Sequence, residues 1–459
     1  GGQRTTTQAR PAPGENVEHM NSRAMEFFDR HAARLQAARA ACRERSYFTL
    51  FAETPDRHPG GVAAAEAGRA AFAAQLGHPF TLDQPGVLSR LGGEVSPYTL
   101  EPLGIDYPRS EPQALFDAAR QAMKRWAAAS PEARLGVCME IIERLHGRIF
   151  ESAQAVQHTS GQSAPMSYTG SGTNALDRGV EALAYAQAAM ADVPREALWE
   201  RQFGSTAIRL RKRYTLVPRG VAVCFTCATF PTWNAYPSMM ASLATGNAVI
   251  VKPHPTSVLP MAIAVQACRA VLAEAGFEPD LVTLCLDTAD APLGKLLVRH
   301  PSTAIVDFTG SARFGAWVEA NAHPALCYSE TSGVNTVVVE SVDELEPVLK
   351  SLATTFSLFS AQMCTSPQNL YLPADGVRHR GGRIGATEFG EALAQAMNAI
   401  AHDGKRAAPI LAAIESPGTV ELIDRLAQEG ERRGRVLRPS TPYTHPEFAR
   451  ARTRTPLLV

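Results

Sequence analysis

The stretch VAVCFTCATFPTWNAYPSMMASLATGNAVIVKPHP, Val221 to Pro255, decides the fold. It opens with a short β-branched run (221–226), passes through a helical pattern at about 235–245, and closes with a second run, AVIVK, at 248–252. No residue from Val221 to Val251 is charged, which at first suggests a membrane span. Two prolines, two asparagines and four threonines within it exclude a lipid-facing helix, because each polar group would need a partner that lipid does not offer. What remains is strand, helix, strand.

Working outward, the same alternation continues. LVTLCL (281–286), TAIVDF (303–308) and PALCYS (324–329) read as strands, and helical patterns fill 258–276, 291–299 and 311–322. Val258, Ala262, Val265, Cys268 and Leu272 form one stripe of the helix between the second and third strands. Such alternation specifies an α/β fold with a doubly wound parallel sheet, and a ligand at the carboxyl ends of its strands. Upstream, residues 17–45 have helical periodicity, a Pro- and Gly-punctuated stretch runs to about Pro108, and an Ala-rich helical region follows to about Leu198.

Composition narrows the function. The 459 residues are enough for about three domains, and the 45% apolar and 20% charged fractions are those of an ordinary globular protein. The 45 basic residues balance 45 acidic ones, which argues against a nucleic-acid partner. The dense basic run RLRKR (209–213) reads as a solvated strand edge. Eight scattered cysteines give neither a disulfide framework nor a metal site, and Cys224 and Cys227 are assigned to packing. With no signal peptide and no membrane span visible, the expected location is the reducing cytoplasm.

Two segments carry candidate chemistry. DFTGSARFG (307–315) sets Gly310 and Gly315 around a strand-to-helix turn and Ser311 near the helix start, where free N–H groups and the helix dipole favour phosphate. The same residues also suit a simple capped helix, and both readings stay open. LFSAQMCTSPQNLYLP (358–373) holds Cys364 in a polar loop between a helix-like run and an apolar strand. A free cysteine is usually a core residue, but Gln362, Thr365, Ser366, Gln368 and Asn369 are poor core neighbours.

Taken together, VIVKPHP (249–255), FTGSARFG (308–315), SETSGVN (329–335) and AQMCTSP (361–367) resemble the aldehyde dehydrogenase superfamily. PFTLDQPG (79–86), GEVSPYTLEPLGIDYP (93–108) and FPTWNAYPSMMASLATGN (230–247) are similar to its phenylacetic acid degradation branch, PaaN type. The resemblance implies an N-terminal extension over 1–108, a nucleotide cofactor domain over 109–329 with an oligomerisation hairpin at about 196–218, and a catalytic domain over 330–459. It also implies that the chain is truncated, since the family continues beyond RTRTPLLV.

The resemblance implies the following roles. Cys364 is the nucleophile, and Glu330, 34 positions earlier, activates the deacylating water. Lys252 holds the adenosine ribose, and Gly310, Ser311 and Gly315 form the pyrophosphate turn. The oxyanion donor falls on Thr229 by position, 23 residues before Lys252, or on Asn234 if the alignment shifts by five. Ala361 stands where the family has a glycine. Pro255 stands where NAD-preferring relatives carry a carboxylate, so NADP is expected to serve at least as well as NAD.

The implied reaction is NAD(P)-dependent oxidation of an aldehyde to an acid through a cysteine thiohemiacetal and thioester. The implied substrate is a CoA-linked semialdehyde from the opened phenylacetyl-CoA ring, and the full-length protein would be a homodimer or higher homo-oligomer. A CoA-acylating dehydrogenase and a non-catalytic scaffold of the same fold are the alternatives.

Overall fold

The computed structural model describes residues 15–459, with side chains from Ser22 onward, so the first residues of the expected N-terminal extension lie outside the described part. Five parallel strands form the central sheet: β1 (Val221–Phe225), β2 (Ala248–Lys252), β3 (Val282–Leu284), β4 (Thr303–Gly310) and β5 (Leu326–Thr331). Their order is β3-β2-β1-β4-β5. The chain reverses direction of growth between β1 and β4, which opens a crevice at their carboxyl ends. All residues of β1 and β2 are buried, because helices cover both faces, and this is why the runs are continuously apolar rather than alternating.

Helices α1 (Pro231–Ala244), α2 (Leu259–Glu274), α3 (Gly294–Arg299) and α4 (Ala312–Asn321) join the strands. The first starts four residues before its periodic pattern. Pro231 occupies its first turn, where the fixed φ suits a helix and the missing N–H costs nothing. Ser311 caps α4, its hydroxyl accepting from Phe314 N (3.4 Å).

One apolar core runs from Ala24 to Ala322, and a second from Val339 to Met397. The long helix Glu15–Glu44 contributes to the first by burying Ala24, Phe27, Leu35 and Ala38 at helical spacing. Its His31 meets Glu140 (2.9 Å), and Arg30 pairs with the same carboxylate (2.9 Å). Residues 196–213 form a hairpin, Glu196–Phe203 antiparallel to Thr206–Arg213. It carries the basic run in the open, with Arg209 on Glu200 (2.7 Å) and Arg211 on Glu196 (2.8 Å).

A buried carboxyl fixes where α2 begins. Glu94 Oε1 accepts from Val258 N (2.6 Å) and Leu259 N (2.9 Å), and Oε2 accepts from Tyr107 OH. A segment remote in sequence thus caps the helix that follows Lys252. Burial pushes the Glu94 carboxyl up to about 7, against the opposing pull of Tyr107 and the two backbone donors.

Glu94→Ala leaves those donors without a partner and should cost about 3 kcal/mol of stability in a denaturant melt, whereas Glu94→Gln should cost less. Because the folded value is raised, this group's contribution is full below the ordinary 4.5 and is lost as pH rises to about 7. The Gln variant should lack that part of the pH dependence. Equal pH profiles for the two proteins would show that Glu94 does not titrate in this window.

Candidate active site

A cavity of about 1150 Å³ lies along the carboxyl ends of the strands. Thr226 and Cys227 follow β1, Lys252 ends β2, Asp287 follows β3, Gly310 and Ser311 close β4, and Glu330 lies near the end of β5. The loop bearing Cys364 closes the cavity from the other side. Sequence segments more than a hundred residues apart therefore meet in one crevice.

That loop reaches its place through unusual backbone. After the helix Leu345–Ser357, Phe359, Ser360 and Ala361 all adopt positive φ, at 52°, 48° and 58°. Each such non-glycine residue costs roughly 1–2 kcal/mol. The alanine standing where a glycine is expected is thus in the conformation a glycine would favour. Several hydrogen bonds hold the turn against residues 410–415. Phe359 N donates to Ile410 O (2.9 Å), and Ala412 N donates to Ser360 Oγ (3.0 Å). Gln362 Nε2 donates to Ala413 O (3.1 Å) while its Oε1 accepts from Glu415 N (2.9 Å). Ala413 N in turn donates to Gly161 O (3.0 Å). Gly161 has φ 79°, and a Cβ there would lie 2.4 Å from Ala413 O, so only glycine permits this approach.

Cys364 is exposed to the cavity, and Asn335 Nδ2 donates to its carbonyl (2.6 Å). Its thiol is pushed up to about 12 by burial first, then by its hydrogen bond to the Glu330 carboxylate and by that group's charge. Glu330 also accepts from Asn234 Nδ2, which donates further to Thr309 Oγ1 (3.1 Å). Thiol, carboxylate and amide form one connected set. Thr229 lines the same cavity, held through its carbonyl by Gln162 Nε2 (2.8 Å), so both oxyanion candidates reach the site.

Lys252 is buried, donates to Pro253 O (2.9 Å), and lies 2.6 Å from Asp287 Oδ1. Pro255 lines this end of the cavity as expected, yet a carboxylate stands there from β3 instead. The premise for expecting NADP, an absence of negative charge, does not hold. His254 has its imidazole lowered by burial and by Lys252, and it meets Thr256 Oγ1 (2.8 Å), which donates to Glu415 (2.8 Å).

Two further readings change. Gly315 does not line the cavity, and a Cβ there would sit 2.3 Å from Thr331 Cγ2, so this glycine lets α4 press onto β5. Cys227, assigned to packing with Cys224, is half-buried and faces the cavity. Asp287 and Gln162 carry no signal in the sequence, because their roles depend on contacts across the chain and neither sits in a local motif.

The arrangement suits an elongated dinucleotide. The cavity is large, its wall offers a buried lysine and carboxylate and the capped start of α4, and the buried Thr226 Oγ1 has no partner among the described residues. Among those residues no cluster could hold a metal ion.

Comparison with known proteins agrees with this geometry. A model of the aldehyde dehydrogenase family matches residues 96–444. The crystal structure of an NAD-dependent aldehyde dehydrogenase from Burkholderia multivorans is 43% identical, with a TM-score of 0.90 over 94% of this chain and 77% of that one. The 1-pyrroline-5-carboxylate dehydrogenase 2 of Bacillus subtilis is 25% identical over 264 residues, 55% of this chain and 47% of the relative. The 2-aminomuconic semialdehyde dehydrogenase of Danio rerio is 28% identical over 284 residues, 57% and 52% of the two. The chain matches about half the length of these curated relatives.

Two measurements check the site. With its thiol near 12, Cys364 should react with iodoacetamide at a rate that still climbs beyond pH 10, where an ordinary thiol with a pKa of ~8.5 has levelled off. Glu330→Gln removes the raising charge and should speed labelling at pH 8 by roughly tenfold. A plateau by pH 9, or no acceleration in the variant, would contradict the thiol–carboxylate pairing. Separately, Ala361→Gly should stabilise the fold by about 1 kcal/mol, read as a higher melting temperature, and a lower one would mean that the left-handed turn is not populated.

Proposed function

The chain belongs to the aldehyde dehydrogenase family, and on that premise we propose that it oxidises an aldehyde to a carboxylic acid through Cys364. The observation that carries the reading is the contact of Glu330 with both the Cys364 thiol and the Asn234 amide inside one cavity. A thiol raised to about 12 is a poor nucleophile while the Glu330 charge stands beside it; that carboxylate can take its proton, and without the charge the thiol ionises to solvent more readily.

Sγ of Cys364 attacks the aldehyde carbon while its proton passes to Glu330. The oxyanion of the resulting thiohemiacetal takes a hydrogen bond from Asn234 Nδ2 or from the Cys364 backbone N–H. Asn234 is preferred to Thr229 because its amide already sits on Glu330, and release of that bond frees an N–H for the oxyanion. NAD or NADP, when bound, supplies the hydride acceptor that turns the thiohemiacetal into a thioester. Lys252, Gly310 and Ser311 would hold it. Glu330 passes that first proton to solvent and then takes one from water; the hydroxide attacks the thioester, and the acid departs as Cys364 takes this second proton.

The substrate reading is a semialdehyde with a polar far end. Met166, Phe230 and Trp233 give the cavity an apolar wall. Trp233 and Asn174 also border a second chamber of about 420 Å³, lined by Arg45, Tyr47, Glu53 and Arg178. A long substrate would reach past Trp233 into it. That supports, together with the resemblance to the phenylacetate branch, a CoA-linked semialdehyde. Relatives named for 1-pyrroline-5-carboxylate and for 2-aminomuconic semialdehyde fit a doubly functional substrate. Glu330 beside Cys364 argues against both a CoA-acylating enzyme, which needs no hydrolytic base, and an inert scaffold.

The hairpin with Leu198, Trp199 and Leu210 exposed supports a homo-oligomer, and the charge balance speaks against nucleic acid. Among the described residues no helix is long and apolar enough to cross a membrane. A cytoplasmic site of action is the reading retained.

Stopped-flow and steady-state assays with a simple aldehyde and NAD separate the roles. Cys364→Ala should abolish turnover while cofactor binding survives. Glu330→Gln should give one burst of reduced cofactor and then stall. Asn234→Ala should lower kcat by about 10²-fold. Undiminished steady-state turnover in Glu330→Gln would overturn the assignment of the base.

A further inference from the structure

The end of the cavity beneath β2 and β3 holds charges that the proposed oxidation does not use. In a doubly wound sheet of this strand order, the ribose of a dinucleotide sits at the end of the second strand, where an acidic side chain reads its 2′-hydroxyl. Here Lys252 ends β2, and the residues that immediately follow it offer no carboxylate. The carboxylate comes instead from Asp287, just past β3.

Asp287 is almost fully buried, with 4% of its side chain exposed, and it lines the cavity. Oδ2 is anchored by Leu293 N (2.9 Å), which fixes the group's orientation. Oδ1 lies 2.6 Å from Lys252 Nζ, yet it takes no hydrogen bond of good geometry, because the ammonium is directed to Pro253 O. An oriented, buried oxygen is thus left able to accept from a hydroxyl in the cavity.

We propose that Asp287 sets the cofactor preference, accepting a hydrogen bond from the adenosine 2′-hydroxyl of NAD and excluding the 2′-phosphate of NADP. The inference rests on the dehydrogenase reading above. It acts in two ways. Like charge repels the phosphate directly, and the ion pair occupies the one buried ammonium at this end that a phosphate would need. The neighbouring His254 adds no compensating positive charge, since burial and Lys252 keep its imidazole neutral. Glu415, hydrogen-bonded to Thr256 of the cavity wall, adds a second acidic group nearby.

The test is direct binding to the whole chain, by isothermal titration with NAD and NADP, supported by kcat/KM for both. Wild-type protein should bind NAD at least about tenfold more tightly than NADP. Asp287→Asn, which keeps an acceptor for Leu293 N, should shift the NADP:NAD ratio of affinities by tenfold or more toward NADP. Lys252→Met in that background should remove the gain, which a merely structural role for Asp287 would not explain. Equal affinities in the wild type, or an unchanged ratio in Asp287→Asn, would overturn the inference while leaving the dehydrogenase reading standing. A folded chain that bound neither nucleotide would overturn both.

Discussion

The side chain of Gln362 ties the Cys364 loop to residues 413–415, donating to Ala413 O and accepting from Glu415 N. Three consecutive left-handed residues precede it, and on their own they would cost several kcal/mol, about 3–6 in sum. A turn of that kind persists only where its surroundings over-determine it. Here they do so through a relay. Residues 410–415 bond the turn on one side, and Ala413 bonds Gly161 on the other. The next residue, Gln162, reaches Thr229 O and accepts from Ser171 Oγ. One chain of hydrogen bonds thus sets the cysteine loop and the segment entering α1 in fixed relation, which puts Cys364 and Asn234 in the same cavity.

Electrostatics then determine what the cysteine can do. The resting thiol is neutral and paired with Glu330, which keeps it from reacting with whatever enters the cavity. In the proposed mechanism the same carboxylate takes the proton when an aldehyde carbon arrives, and later serves water. At the opposite end, the Lys252–Asp287 pair is buried, where an uncompensated charge would be costly, so each partner requires the other. On the proposed reading the cavity holds a proton-transfer pair in Cys364 and Glu330 and a recognition pair in Lys252 and Asp287.

Much of this is legible in the sequence because it is local. The strands of the sheet appear as short β-branched runs, and α4 announces itself through Ser311 at its cap. Cys364 and Glu330 lie in the segments that carry the family resemblance. The rest is not local. Asp287 looks like a loop aspartate until β3 is set beside β2, and Cys227 looks like the partner of Cys224 until β1 ends and the chain turns into the cavity. Gly315 reads as a ligand glycine, but its need is packing against Thr331. Glu94 caps a helix more than 160 residues away in sequence. No periodicity or motif carries such pairings; they follow from the topology.

The central claim is that Cys364 becomes acylated and that Glu330 is required to release the product. Peptide mass spectrometry on Glu330→Gln, quenched in acid after incubation with NAD and a simple aldehyde such as hexanal, tests it most directly. The peptide containing Cys364 should carry the mass of the acyl group, and the other seven cysteines should not. An unmodified Cys364 peptide from a variant that has reduced its cofactor would contradict the account.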